Sequence, residues 1–554
     1  YQARLVLRFQ AHLADLLDTH YEIEIEGRCG ESQFARRERI LFEAGRIVFH
    51  VADPQRWWPR GRGPAALYDV TVRLYRDGQE IDRRAFRHGI RTIELRRTSI
   101  TDSFGKGEFC FVVNGEKLFV KGTNWVPADA YHSRDLERIP RMLALVEELD
   151  CNMIRCWGGN VYENDLFYDL CDEKGILIWQ DFAMACALYP QDDVFCARLA
   201  EEAQKVVRRL RQHACLALWA GDNECDDAYL WSGLGDPDSN RLTREALPRV
   251  LQAEDPIRPY LPSSPYTDAE AQRAGAEFRS ENHLWGPRDY FRSDFYRNAL
   301  CHFASEIGYH GCPAPSSLRR FLSPDKLWPP QNEEWLLHST SPVPGVDIYD
   351  YRVALVCNQV REMFGSVPET LEDFARLSQY VQAEAFKFFI EMFRTAKWRR
   401  TGLLWWNLID GWPQISDAVV DYYFEKKLAF DYIKAVQAPL CLMLREPKAW
   451  RQELVACNDT REDISLTYRL YESGAAQVLA ADSRVARGDS VTPLASIPHF
   501  AGDKRFYIIE WESERGSGVN HYLTGSPPFD AEQYRSWLDS LRAVRSRKET
   551  ERLK

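Results

Sequence analysis

The sequence predicts a multidomain chain built on a (β/α)8 (TIM) barrel flanked by β-sandwiches. Three observations carry that prediction. Between residues 99 and 437, short apolar runs alternate with stretches of helical periodicity and are joined by short links. That alternation means βα units around a parallel sheet. Residues 1–98 hold only short, alternating runs separated by turn signals, as a sandwich does. From 438 to 515 the pattern is β again, and 516–554 is a polar tail. With 554 residues the chain is too long for one ordinary domain.

Taken in order, Leu5–Phe9, Tyr21–Ile25, Arg46–Phe49 and Tyr68–Val72 are the strands of the first sandwich, with Asp77-Gly78 as a turn. Trp57-Trp58-Pro59 reads as a loop packed on that sandwich. Phe109–Val113 and Lys117–Val120 flank Asn114-Gly115, a strong hairpin signal. Leu136, Ile139, Leu143, Val146 and Leu149 share a helix face, with Ser133 as its cap. Asn152–Trp157 is the next strand, followed by a helix that stops at Gly175 and a strand over Ile176–Trp179. A helix over 192–213 leads into the strand Ala214–Ala220. Arg258–Pro262, His283–Gly286, Cys301–Ser305 and Gly402–Trp406 complete eight strands. The connection over 312–370 is long enough to form a lid or rim, and a long helix follows, with Phe374, Leu377, Val381, Ala385, Phe388 and Met392 on one face. Glu453–Cys457, Ile464–Tyr468 and Arg505–Ile509 are strands of the second sandwich. The tail frays or forms a small helix near Tyr534–Leu541.

Composition excludes some partners. The net charge is −11, which argues against nucleic acid, since phosphate binding needs a basic surface. No apolar run approaches the roughly 18 residues of a membrane helix. The 17 Trp, 25 Tyr and 28 Phe suit either large cores or flat faces offered to sugars, and composition leaves both open. The 14 cysteines form no paired metal or disulfide pattern, which points to a reduced, cytoplasmic setting. Residue 1 is Tyr and the first Met is Met142, inside a helix, so the chain is expected to begin downstream of its native N-terminus.

The chemistry centres on Cys215–Glu224, where an apolar strand ends abruptly in Gly221, Asp222, Asn223 and Glu224. In a parallel barrel that end carries function. Glu306 follows the seventh strand in the same way. Two carboxylates on one rim suit cleavage of a glycosidic bond: one stays protonated and donates to the leaving oxygen, while the other, ionised, attacks or directs water. This chemistry needs no metal or cofactor, and no metal-ligand cluster is visible in the sequence.

The motifs Lys121-Gly122-Thr123-Asn124-Trp125, Asn152–Gly159, Gly175–Phe182, Leu218–Glu224, Ser305–Gly308 and Trp406–Pro413 are specific. Through them the chain resembles glycoside hydrolase family 2, in the group that includes β-mannosidases and exo-β-glucosaminidases. The resemblance implies a jelly roll, an immunoglobulin-like sandwich, the barrel and further sandwiches, with the jelly roll missing here. It implies that Glu224 is the acid/base, Glu306 the nucleophile and Asn223 a contact to the sugar 2-hydroxyl. It further implies that Arg155 pairs with the nucleophile, that Trp157, Asp181 and Trp406 line the sugar subsite and that Tyr309 binds substrate. The activity implied is that of a retaining exo-β-glycosidase, first a β-mannosidase. An exo-β-glucosaminidase or β-galactosidase is the alternative within the class, and an inactive carbohydrate-binding homologue is the alternative outside it. Three departures flank the site: Asp222 where relatives often have Asn, Tyr309-His310 where Trp-Gln is common, and Asn407 and Ile409 where Gln and Asn are usual.

Overall fold

The computed structural model describes residues 2–16, 18–288, 290–339, 351–500 and 502–553. The first sandwich pairs Gln2–Gln10 with Ala44–Ala52. Against this ribbon lies an antiparallel sheet in the order Ser32–Ile40, Tyr21–Cys29, Tyr68–Arg76, Gln79–His88. Tyr21, Ile23 and Ile25 alternate inward and meet Ile47, Phe49, Val51, Tyr68 and Val70. The period of two in the sequence is therefore the core face of the sheet. The two outer strands were not legible because their exposed side chains are largely charged (Arg36, Arg37 and Arg39 on one, Glu80, Arg83 and Arg84 on the other), as edge strands require. Asp77-Gly78 and Asn114-Gly115 both turn with positive φ, at 48° and 81° and at 52° and 86°. That is the geometry a tight two-residue hairpin turn demands.

Eight parallel strands form the central sheet: β1 Val120–Trp125, β2 Met153–Cys156, β3 Leu177–Asp181, β4 Leu216–Ala220, β5 Tyr260–Leu261, β6 Glu281–His283, β7 Phe303–Glu306 and β8 Gly402–Trp405. Their order is 5-4-3-2-1-8-7-6, so backbone ladders join every neighbouring pair but β5 and β6. Side chains span that seam: Ser264, just past β5, donates to Glu281 on β6 at 2.9 Å. The residues just past the expected run Lys117–Val120, as far as Trp125, make up most of the first barrel strand. Phe109 and Phe111 of the preceding hairpin pack on both Trp179 of β3 and Phe303 of β7, with ring centroids 5.2–6.2 Å apart. Those strands face each other across the barrel, so the hairpin fills its interior. A boundary at 98/99 would cut the small sheet that holds this plug, since Ile93–Arg97 pairs with Phe109–Val113.

Several expectations are corrected. Trp57 does not sit on the sandwich. It is fully buried in the barrel's core cluster, where its Nε1 donates to the Asp172 carbonyl at 2.8 Å. Ser133 caps nothing: it lies in a 3-10 turn ahead of the helix Asp135–Glu148. The connection after β7 carries structure of its own, with helices Pro315–Leu318, Glu333–Leu337 and Tyr351–Phe364, while 340–350 lie outside the described residues. Gly175 does end its helix, at φ 69°, and the long helix runs Leu371–Arg394 with Thr370 as its cap.

The second sandwich packs Leu440–Leu444, Arg451–Asn458 and Ser490–Pro498 against a four-stranded sheet that ends in Gly516–Thr524. It therefore extends past residue 515. The expected tail is a strand plus a helix, Ala531–Leu553, which is anchored by Tyr534, Trp537, Leu538 and Leu541. Tyr534 reaches Tyr380 of the long barrel helix, with centroids 5.0 Å apart. That anchor falls where a small helix is expected, near Tyr534–Leu541, while the polar remainder of the helix carries no apolar pattern to read. Among the described residues no helix is long and apolar enough to cross a membrane.

Truncating Trp57 to Ala should cost about 3–5 kcal/mol, because it leaves a cavity in the barrel's core cluster and an unpartnered carbonyl. Urea unfolding reads this directly. A loss under about 0.5 kcal/mol would mean that the ring is not part of that core.

Candidate active site

Every functional side chain here stands at the C-terminal end of a barrel strand, where the chain leaves the sheet. Arg155 of β2 is fully buried and touches four of its neighbours. Its Nη1 donates to Glu306 Oε1 at 2.6 Å and to Asn124 Oδ1 at 3.0 Å. Its Nη2 donates to Asp181 Oδ2 at 2.8 Å and to Asn223 Oδ1 at 2.7 Å. Burial works against the guanidinium charge, but Asp181 and Glu306 outweigh it and hold its pKa above the ordinary arginine value.

Glu306 ends β7. Both its oxygens are acceptors, one for Arg155 and the other for Trp285 Nε1 at 2.8 Å. Glu224 is placed by different means. Gly221 lets the chain pass close to β5, where a Cβ would lie 2.0 Å from the Pro262 carbonyl. Asn223 N donates to the Met184 carbonyl and Glu224 N to that of Ser264, both at 2.9 Å. These bonds hold Glu224 at φ 57°, a left-handed conformation that costs a non-glycine residue about 1 kcal/mol or more. The cost is met because the turn aims the carboxyl across the mouth. There Oε1 lies 2.6 Å from His283 Nδ1 and Oε2 accepts from Cys186 Sγ at 3.3 Å. Burial raises the pKa of Glu224. Burial also pushes His283 down to about 3, so the imidazole is neutral across the physiological range.

Oxygens of Glu224 and Glu306 and a nitrogen of His283 all lie within 4.8 Å of one another. Asp172, His213 and Cys215, at the other end of β4, form a second such set. Both sets are drawn together by their own hydrogen bonds, His283 to Glu224 here and His213 to Asp172 at 2.7 Å there. Those bonds account for the closeness without an ion.

Three half-exposed indoles wall the mouth. Trp157 meets Trp406 edge-to-face at 5.3 Å, and Trp406 meets Trp285 at 6.4 Å. Of the residues expected from sequence, Arg155, Asn223, Glu224 and Glu306 come together, with Trp157 and Trp406 beside them. Asp181 is placed differently from a sugar contact: it is 1% exposed, and its carboxyl accepts from Arg155, Trp179 Nε1 and Gly158 N. Burial raises it to about 6 against the pull of Arg155. Tyr309 is corrected outright. Its ring is fully buried and packs edge-on against Phe291 and Phe389, so the side chain faces the helix layer.

The departures also resolve in space. Asp222 turns away from the mouth and accepts from Ser263 Oγ at 2.5 Å and Cys225 N at 3.1 Å. Burial, then the neighbouring Asp226 carboxyl, push its pKa well up. A protonated Asp hydrogen-bonds much as an Asn does. Ile409 is buried and bridges to Val420, so that change is one of packing. His310 is fully buried with Nδ1 3.1 Å from Asp417 Oδ1. Reasoning from sequence missed Asn124, Cys186, His283 and Trp285. The signal for the last two was present: polar and aromatic residues in His283–Gly286, at the end of a strand already recognised.

Residues 3–91 match the family described as Glycosyl hydrolases family 2. The chain is 31% identical to beta-mannosidase B of Neosartorya fischeri over 479 residues, covering 79% of this chain and 54% of that protein. It is 31% identical to beta-mannosidase B of Aspergillus oryzae over 468 residues, covering 80% and 53%. The chain thus spans about half the length of these curated relatives. Among solved structures, the beta-D-mannosidase from Dictyoglomus thermophilum superposes with a TM-score of 0.83 at 28% identity, covering 96% of this chain and 65% of that one. The exo-chitosanase CsxA of Amycolatopsis orientalis shares the fold, with a TM-score of 0.71 at 17% identity over 94% and 62%.

Replacing Arg155 with Met leaves Glu306 and Asp181 buried without their cation. Stability in denaturant should fall by about 3–5 kcal/mol. Arg155→Lys, a point charge unable to reach all four partners, should fall in between. A Met variant within about 1 kcal/mol of the wild type would contradict this account of the site.

Proposed function

The chain belongs to glycoside hydrolase family 2, and we propose on that footing that it carries the catalytic site of a retaining exo-β-glycosidase, with terminal β-linked mannose as the favoured substrate. The observation that supports the mechanism is the close approach of the two carboxyls, one oxygen of each lying within 4.8 Å of the other, which suits the shorter of two known spacings. Retaining enzymes hold their carboxyl groups about 5–5.5 Å apart, whereas inverting ones leave roughly 6.5–9.5 Å for a water.

The environments support one role for each glutamate. Glu306, an acceptor on both oxygens, attacks the anomeric carbon and forms a glycosyl-enzyme. Glu224, whose pKa is raised by burial, gives its proton to the leaving oxygen. Glu224 then takes a proton from water as that water attacks the same carbon and frees Glu306. The second inversion restores the β configuration. Asn223 is assigned to the sugar 2-hydroxyl, Trp157, Trp285 and Trp406 to the ring faces, and Arg155 to holding Glu306 in line. Asp181 acts through Arg155. The barrel is the catalytic unit and the sandwiches support it. Carbohydrate is the partner. The cytoplasm is the proposed compartment, in keeping with 14 cysteines that are all free.

Mannoside is favoured because the beta-mannosidases named above resemble this chain over most of its length. A panel of aryl β-mannoside, glucosaminide, galactoside and glucuronide decides the sugar. Proton NMR of the first product should show the β anomer, and an α product would overturn retention. Glu306→Gln should lose roughly 10³-fold or more in kcat. Glu224→Ala should keep much more activity on aryl glycosides with acidic phenols than on alkyl glycosides, because only the latter need the proton. Sugar binding with no turnover on any substrate would instead mark a binding homologue.

A further inference from the structure

A third carboxyl lies beneath the catalytic pair and has no part in the chemistry above. Glu281 of β6 is 3% exposed. Its Oε1 accepts from Ser264 Oγ at 2.9 Å and also from Ser305 Oγ. Among the described residues its Oε2, though buried, has no hydrogen-bond partner. Ser264 Oγ lies 3.2 Å from His283 Nε2 in turn, and His283 Nδ1 lies 2.6 Å from Glu224 Oε1. Glu224, His283, Ser264 and Glu281 therefore form one unbroken line of hydrogen bonds, from the mouth of the barrel into its wall.

The protons on that line can be counted. Ser264 has one and neutral His283 has one. When Glu281 is ionised it accepts a hydrogen bond from the Ser264 O–H. Ser264 must then accept from His283 Nε2–H, Nδ1 is bare, and the short contact to Glu224 is a carboxyl O–H donating to nitrogen. When Glu281 holds a proton on Oε1, every link reverses. Glu281 donates to Ser264, Ser264 to Nε2, and Nδ1–H to an ionised Glu224. Between the two states three protons each move one link, and no charge remains on His283 or Ser264. The net change is one proton passed from Glu224 to Glu281.

We propose, resting on the glycosidase reading above, that Glu224 and Glu281 share a single proton through His283 and Ser264, which makes Glu281 a positioning residue for the acid/base. Burial supports this by raising Glu281 to about 7, against the hydrogen bonds from Ser305 and Ser264, and by keeping His283 neutral. The arrangement has a use in both half-reactions. With Glu281 ionised, Glu224 carries the proton that the leaving group needs. Once that proton is gone, the Glu224 carboxylate faces a bare Nδ1 lone pair, which makes it a stronger base toward the incoming water. Arg155, Arg279, Arg288, Asp227 and Glu306 also act on the line, and they stay constant in the variants below.

The test is the basic limb of the kcat/KM profile, which reports loss of the acid's proton in the free enzyme. In the wild type that loss leaves two carboxylates coupled across one imidazole, so the limb lies high. Glu281→Gln removes one charge and Ser264→Ala breaks the line. Each should move the limb down by about 0.5–1 pH unit, and the double variant should move it no further. Glu281→Asp should restore it toward the wild-type position. Loss of kcat with an unmoved limb in variants whose melting shows them folded, or shifts that add in the double variant, would overturn the relay. Difference infrared spectroscopy of the protonated carboxyl band reads the same proton without turnover. One coupled step in the wild type that splits in Ser264→Ala supports the relay, and independent steps in both sink it. A coupled proton in a protein that cleaves no glycoside would leave the relay standing and the assigned function fallen. Cleavage without coupling would do the reverse.

Discussion

The buried guanidinium of Arg155 is the interaction on which the site depends. A full positive charge with no exposure is tolerable only if it is paired on several sides. Here Glu306, Asp181, Asn124 and Asn223 meet it, from β7, β3, β1 and the end of β4. One side chain thus ties together the ends of strands that backbone ladders alone could shift. Asp181 is itself fixed by Trp179 and by the Gly158 amide, so the arginine cannot turn without breaking bonds on both sides.

From that anchor the two glutamates acquire different characters. Glu306 is given cationic and indole donors and is left to accept. Glu224 is given burial, a strained backbone and a neutral imidazole, so it can hold a proton and release it. The difference is one of surroundings rather than residue type. The barrel's open seam belongs to the same design. Where β5 and β6 make no ladder, Ser264 and Glu281 join the strands through side chains, and His283 carries that junction to Glu224.

The fold was legible wherever burial is uniform. β2, β3, β4, β7 and β8 are buried along their whole length, and their largely apolar runs, bounded by turn residues, stand out. Tyr21–Ile25 shows its alternation because one face meets the core. The two- and three-residue strands β5 and β6 were placed only approximately, since so short a run has no periodicity to read. The charged edge strands, the full length of the C-terminal helix and the docking of Trp57 on the barrel were missed or misplaced. Each depends on what packs against it from far along the chain.

In the site, the order of residues pointed to a chemistry. An apolar strand that stops at Asn223-Glu224 and a second that stops at Glu306 suit a paired-carboxylate mechanism on a barrel rim, and it is the family motifs, Arg155 among them, that single this reading out. Only the tertiary structure decided direction. It turned Tyr309 into the helix layer, Asp222 toward Ser263 and Asp181 onto Arg155. It also brought His283 and Trp285 against the two glutamates. The physical reason is that a side chain's partners lie on other strands, tens to hundreds of residues away. Their distances, and the burial that shifts their protons, exist only once the barrel has formed.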